Sequence, residues 1–111
     1  MKFALLIYDD EVTHANASEE ERTAVYAEHG RLGAALRAKN AAIAGEELAA
    51  TATGKTVRTA NGTSVLTDGP FTETAEHLTG FYLIEAADMD EALGYARMLS
   101  GTVEVRAVVP H

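Results

Sequence analysis

The chain has 111 residues, 47% of them hydrophobic, and no cysteine, which sizes it as one compact domain and excludes a disulfide framework, a thiolate zinc site and a cysteine nucleophile. Nine basic against seventeen acidic residues leave a formal net charge of -8; that balance repels phosphate backbones and anionic lipid, so no nucleic-acid partner is expected. No apolar run approaches the roughly 20 residues that cross a bilayer, and the start MKFALLIYDDE turns acidic where a signal peptide would carry a longer apolar region. A cytoplasmic protein with no membrane partner is the expectation.

From Lys2 to Tyr8 the residues Phe3, Leu5 and Ile7 alternate with Ala4, Leu6 and Tyr8, so both faces of a first strand are apolar and the strand is read as central. A polar loop with Asp9, Asp10, Glu11 and His14 follows. Ser18 then stands three residues ahead of Glu21, the capping-box spacing that opens a helix, predicted to run to about Ala38 to Asn40. Within it Val25, His29, Leu32 and Leu36 recur at the spacing that stacks side chains on one inward stripe. The segment AAIAGEELAA, interrupted by Gly45, reads as a strand or extended edge segment, with a helix as the alternative.

In KTVRTANGTSVLT the pair Asn61-Gly62 lies between two β-branched stretches. It marks a two-residue hairpin turn, because both turn positions need positive φ. LTGFYLIEA is a second strand apolar on both faces, and Asp88 with Glu91 repeats the capping logic for a helix through about Leu99, closed by Ser100-Gly101. The last strand, TVEVRAVV, sets Val103, Val105, Ala107 and Val109 against Glu104, Arg106 and Val108, one apolar face and one partly charged. The order is β-α-β, an added hairpin, then β-α-β: an α+β, ferredoxin-like βαββαβ domain. Two helices cover one sheet face only, so a second subunit is expected on the other, as a homodimer.

The stretch SVLTDGPFTETAEHLTGFYLIEAADMDEALGYARMLSGTVEVRAV, Ser64 to Val108, closely resembles the DGPF, or YCII-related, family of small bacterial proteins. MKFALLIYDDE and AGEEL fit the same pattern, while the first helix is less distinctive. The resemblance implies a dimeric α+β barrel made from two ferredoxin-like subunits. Family members are mostly uncharacterised and often encoded beside extracytoplasmic-function sigma factors; the wider group is suspected of using a His-Asp pair and includes a dehydrochlorinase-like member. The chain departs from the pattern at Ala75, where the family usually has Lys, and at His77, where Gln is common.

Asp68, Gly69 and Pro70 are first of all good turn chemistry. The functional reading beside it is a carboxylate at the barrel mouth, acting as a base or orienting an imidazole. His29 on the inward stripe is either a satisfied core histidine or the other half of an Asp68–His29 proton-transfer pair. Tyr8, Phe71 and Glu73 are the candidate substrate contacts, Glu73 with Glu76 as a rim; Tyr82 is assigned to packing. Glu104 and Arg106, two apart on one strand, are placed to form an ion pair or to meet charges of a partner subunit, an interface role rather than a catalytic one.

The histidines at 14, 29, 77 and 111 show no i, i+4 pairing, so no metal site is expected. TGKT at Thr53 to Thr56 lacks the first glycine of a phosphate loop and precedes a strand, and neither Ser64 nor Ser100 sits in a nucleophile elbow. No cofactor is expected. Two functions fit: a cofactor-independent lyase, isomerase or oxygenase acting on a small organic molecule, or a non-catalytic dimeric binding or regulatory module tied to a sigma-factor system.

Overall fold

The computed structural model describes residues 1–72 and 74–111. Its elements in chain order are β1 (Lys2–Asp10), α1 (Glu11–Ala15), α2 (Glu19–Ala38), β2 (Ala42–Glu47), a single 3₁₀ turn (Thr51–Thr53), β3 (Lys55–Ala60), β4 (Thr63–Asp68), β5 (Glu76–Glu85), α3 (Met89–Ala96) and β6 (Thr102–Ala107). The antiparallel sheet has the order β2-β5-β1-β6, and β3 and β4 form a separate two-stranded ribbon. This is the ferredoxin-like arrangement with a hairpin added between β2 and β5.

Local chemistry explains the boundaries. Ser18 Oγ accepts from the Glu21 amide at 3.0 Å while the Glu21 carboxylate accepts from the Ser18 amide, so two otherwise orphaned donors start α2. Asn61 (φ 51°) and Gly62 (φ 76°) both occupy the left-handed region and turn β3 into β4. The loop expected after β1 contains a short helix instead, because Asp10 accepts from the amides of Val12 and Thr13 and caps it. The regular part of α3 stops at Ala96, short of Leu99. From there Met98 and Leu99 donate to Tyr95 and Ala96, three residues back, and the tightened turn still delivers Leu99 to the core.

Facing pairs in a strand ladder share one sheet side, and the pairs Phe3 with Ile84, Leu5 with Tyr82 and Leu5 with Val105 define the helix-covered face. Phe3, Leu5 and Ile84 are fully buried there against Leu32 and Leu36 of α2 and Ala92 and Tyr95 of α3. The opposite face carries Ala4, Leu6, Phe81 and Leu83, only half-buried. Both halves of the expected both-sides-apolar pattern in β1 and β5 are therefore present, with one side packed and the other open.

Candidate functional site

The ladder between β1 and β5 is broken once: Ile7 pairs with Gly80 but Tyr8 with Leu78, leaving Thr79 as the extra residue of a β-bulge. Its hydroxyl donates to Asp9 Oδ2 at 3.0 Å. Asp9 continues the Phe3, Leu5, Ile7 stripe of β1, so the apolar floor under the helices ends in a carboxylate. That end of the sheet, the middle of α2, α1 and the chain from Leu48 to Ala50 enclose a cavity of about 590 Å³, in the range that holds a small organic molecule.

His29 reaches this cavity from α2, on the stripe expected for it, and is half-buried. Its Nδ1 lies 2.6 Å from the Tyr82 hydroxyl, and the two rings stack with centroids 5.8 Å apart and planes 18° from parallel. Tyr82 fits there because residue 45 is glycine: a Cβ on Gly45 would sit 2.9 Å from Tyr82 Cδ1. Burial pushes the Tyr82 phenol above its ordinary pKa, so it stays protonated and available as a donor.

Glu11, at the start of α1, accepts from the Thr51 amide at 2.9 Å and from the Thr51 hydroxyl at 2.7 Å. These bonds, the hydroxyl first, hold its carboxyl below the usual value. They also fix the segment that leads into the β3-β4 ribbon against the cavity wall. Arg22 donates to the Ala15 carbonyl at 2.9 Å and ties α1 to α2 on the same wall.

The other expected site residues fall elsewhere. Asp68, at the end of β4, pairs with Lys55 and is 83% exposed; it does not meet His29, whose partner is Tyr82. The expected Asp68–His29 pair is thus not formed within the chain, because Asp68 belongs to the ribbon and His29 to the helix layer. Tyr8 points to the open face, where its hydroxyl donates to Glu104 Oε1 at 3.3 Å, since strand alternation groups it with Leu6. Phe71 is 67% exposed beneath the Arg58 guanidinium, 6.0 Å from the ring centroid. Glu73 lies outside the described residues. Glu104 and Arg106 do approach, at 3.7 Å.

DGPF is accordingly turn architecture at the foot of the ribbon. Gly69 takes φ +83° and is buried, its amide donates to the Gly54 carbonyl at 2.8 Å, and its carbonyl accepts from Thr56 Oγ1 at 2.7 Å. Tyr82, assigned to packing from the sequence, lines the cavity, as do Asp9, Glu11 and Thr79, which no motif singles out. Alternation alone carried a signal for two of them, because Tyr82 shares a face with Ile84, and Asp9 with Ile7. Among the described residues no three His, Asp or Glu side chains converge as a metal site requires. No helix of the described chain is long and apolar enough to cross a membrane.

Fold and cavity together define a small ferredoxin-like α+β protein with a half-buried polar pair, His29 and Tyr82, at a cavity beneath one helix. The YCII-related domain model matches residues 1–111, and the chain belongs to that family. It is also similar to an uncharacterised protein of Rhizobium meliloti (strain 1021), 39% identical over 122 aligned residues that cover 96% of this chain and 90% of the relative.

Proposed function

We propose that the chain is a cofactor-independent enzyme of the isomerase or lyase type, moving a proton next to a carbonyl of a small organic molecule held between α2 and the sheet. The observation that carries this reading is the 2.6 Å contact of His29 Nδ1 with the Tyr82 hydroxyl inside a cavity that also contains the Asp9 carboxylate. A half-buried, protonated phenol donating to Nδ1 leaves the ring proton on Nε2. The imidazole then serves as a neutral donor to an oxygen that gains charge, while a carboxylate takes the proton from the neighbouring carbon. Asp9 is the carboxylate assigned here, in place of Asp68, and Tyr82 is a positioning residue that sets the tautomer.

The test is deuterium uptake from D₂O, followed by NMR, across a panel of small ketones, enones and keto acids. An active compound should lose about 10²- to 10⁴-fold in exchange rate with Asp9→Asn, the usual weight of a general base. Binding of panel compounds that Asp9→Asn leaves intact, with no exchange above buffer in the wild type, would make the cavity a binding site only. In the same reading a second copy of the chain covers the open face of Leu6, Phe81 and Leu83, in keeping with the homodimer expected from those unmatched residues. Sedimentation of the full chain checks that state.

A further inference from the structure

Among the described residues, α1 is the part of the cavity wall with the least hold on the core. It is five residues long and none of them is buried, well under the length at which a helix is stable in water by itself. Glu11, His14 and Ala15 nevertheless line the cavity. The other walls are built into the fold. Strands β1 and β5 are laddered in the sheet, and α2 is fastened by the buried Leu32 and Leu36. The chain after β2 continues the sheet through the Leu48 amide, which donates to the Thr79 carbonyl at 2.8 Å.

Side chains pin α1 at both ends. At its start the Glu11 carboxylate accepts from the amide and the hydroxyl of Thr51, and at its end the Ala15 carbonyl accepts from Arg22. The Glu11 end thus holds with a pair of charge-assisted bonds. Thr51 in turn is placed by the DGPF turn. Its carbonyl accepts from the Gly54 amide at 3.0 Å, and the Gly54 carbonyl accepts from the Gly69 amide at 2.8 Å. Gly69 does this at φ +83°, where a side chain would be strained, and Thr56 Oγ1 donates to its carbonyl at 2.7 Å. With Leu48 tied to the sheet on one side and Gly54 to the turn on the other, Thr51 is the fixed point. The helix α1 is the piece that can leave it.

We propose that α1 is a lid on the cavity, latched by Glu11 on Thr51, and that the DGPF turn is the positioning element of that latch. With the lid open a small molecule reaches His29, and with the lid closed the site is withdrawn from water. The motif that first appears as a turn remote from the cavity is connected to it through Gly54, Thr51 and Glu11. The lid rests on the reading of the cavity as a small-molecule site, but not on the proton transfer assigned to it.

The experiment is modification of His29 by diethyl pyrocarbonate, followed site by site by mass spectrometry, beside amide hydrogen exchange of the full chain with no substrate present. Glu11→Ala removes the latch. Thr56→Val and Gly69→Ala loosen the turn, the first without forcing a side chain into positive φ. The lid predicts that Glu11→Ala raises both the His29 modification rate and the exchange of α1 amides at least about tenfold, the scale of a lost bond to a charged group. Thr56→Val should move both in the same direction, while amides of β1 and β5 keep their wild-type protection. An unchanged His29 rate in Glu11→Ala makes α1 a fixed wall and overturns the lid. So does loss of β1 and β5 protection together with α1, because the helix then opens only with the whole fold. A change in Glu11→Ala that neither turn variant reproduces overturns the role of DGPF. None of these readings uses turnover, so a failed proton-exchange assay and a failed lid are separate results.

Discussion

Gly45 and Tyr82 face each other across β2 and β5 at a distance that only a residue without a side chain permits, 2.9 Å from the position of a Cβ to Tyr82 Cδ1. The ring that occupies this space is the one that holds His29 through its hydroxyl. A glycine on an edge strand thus sets the orientation of an imidazole on the opposite wall of the cavity.

Gly45→Ala should displace the Tyr82 ring, lengthen or break its bond to His29 and destabilise the fold by about 1–3 kcal/mol, the cost of forcing extra volume into a packed site. Urea unfolding measures the stability change and the His29 ring resonances report the bond. An unchanged pair of resonances would show that the ring has room that the structure does not show.

Tyr82→Phe keeps the packing and removes one oxygen. His29 Nδ1 then loses its partner, with a stability cost of about 0.5–1.5 kcal/mol and a change in the proportion of ring tautomers, read from ¹⁵N shifts of the imidazole. If the shifts stay as in the wild type, Tyr82 does not set the tautomer and its proposed positioning role is lost.

Asp68→Asn offers the contrasting case. The pair with Lys55 is solvent-exposed on both sides, 62% and 83%, so its loss should cost no more than about 1 kcal/mol and should leave the His29 resonances in place. A large shift of those resonances would connect Asp68 to the cavity after all.

Glu11 supplies the pH dependence. Its two bonds from Thr51 lower its pKa in the fold, and a carboxylate so depressed contributes stability that is complete above the ordinary carboxylate value and is lost as the pH falls through the lower, folded value. Glu11→Gln should therefore flatten the acid limb of a stability curve taken by urea unfolding from about pH 6 to about pH 3. Parallel acid limbs in wild type and variant would assign that dependence to other carboxylates, such as Glu28 and Glu91, which Ser100 and Ala87 amides likewise depress.

Leu32 carries the packing between α2 and the sheet and is fully buried. Leu32→Ala should cost about 2–5 kcal/mol, whereas Val12→Ala, at a side chain 70% exposed, should stay within about 0.5 kcal/mol. Equal unfolding midpoints for the two variants would contradict the placement of the core.

Much of the architecture is legible in the sequence because its causes are local. Ser18 and Glu21 cap α2 through bonds three residues apart, Asn61-Gly62 makes a turn that needs no distant contact, and the alternation in Phe3 to Tyr8 and in Phe81 to Ile84 marks central strands whatever packs on them. The open face followed from the same alternation counted against two helices. Family membership was carried by a contiguous motif, and that motif is itself a local structure, the Gly69 turn at the foot of a ribbon.

The cavity is different in kind. Which group His29 meets depends on how α2 lies over β5, a long-range packing result, so a carboxylate near in motif logic lost to a phenol near in space. The bulge that frees Thr79 for Asp9 arises from register between β1 and β5, and the Glu11–Thr51 bonds join segments 40 residues apart; neither leaves a spacing to read. Short-range rules act through bonds between neighbours in the chain, and the pairings that make this site are chosen by the core, whose packing joins residues far apart in sequence.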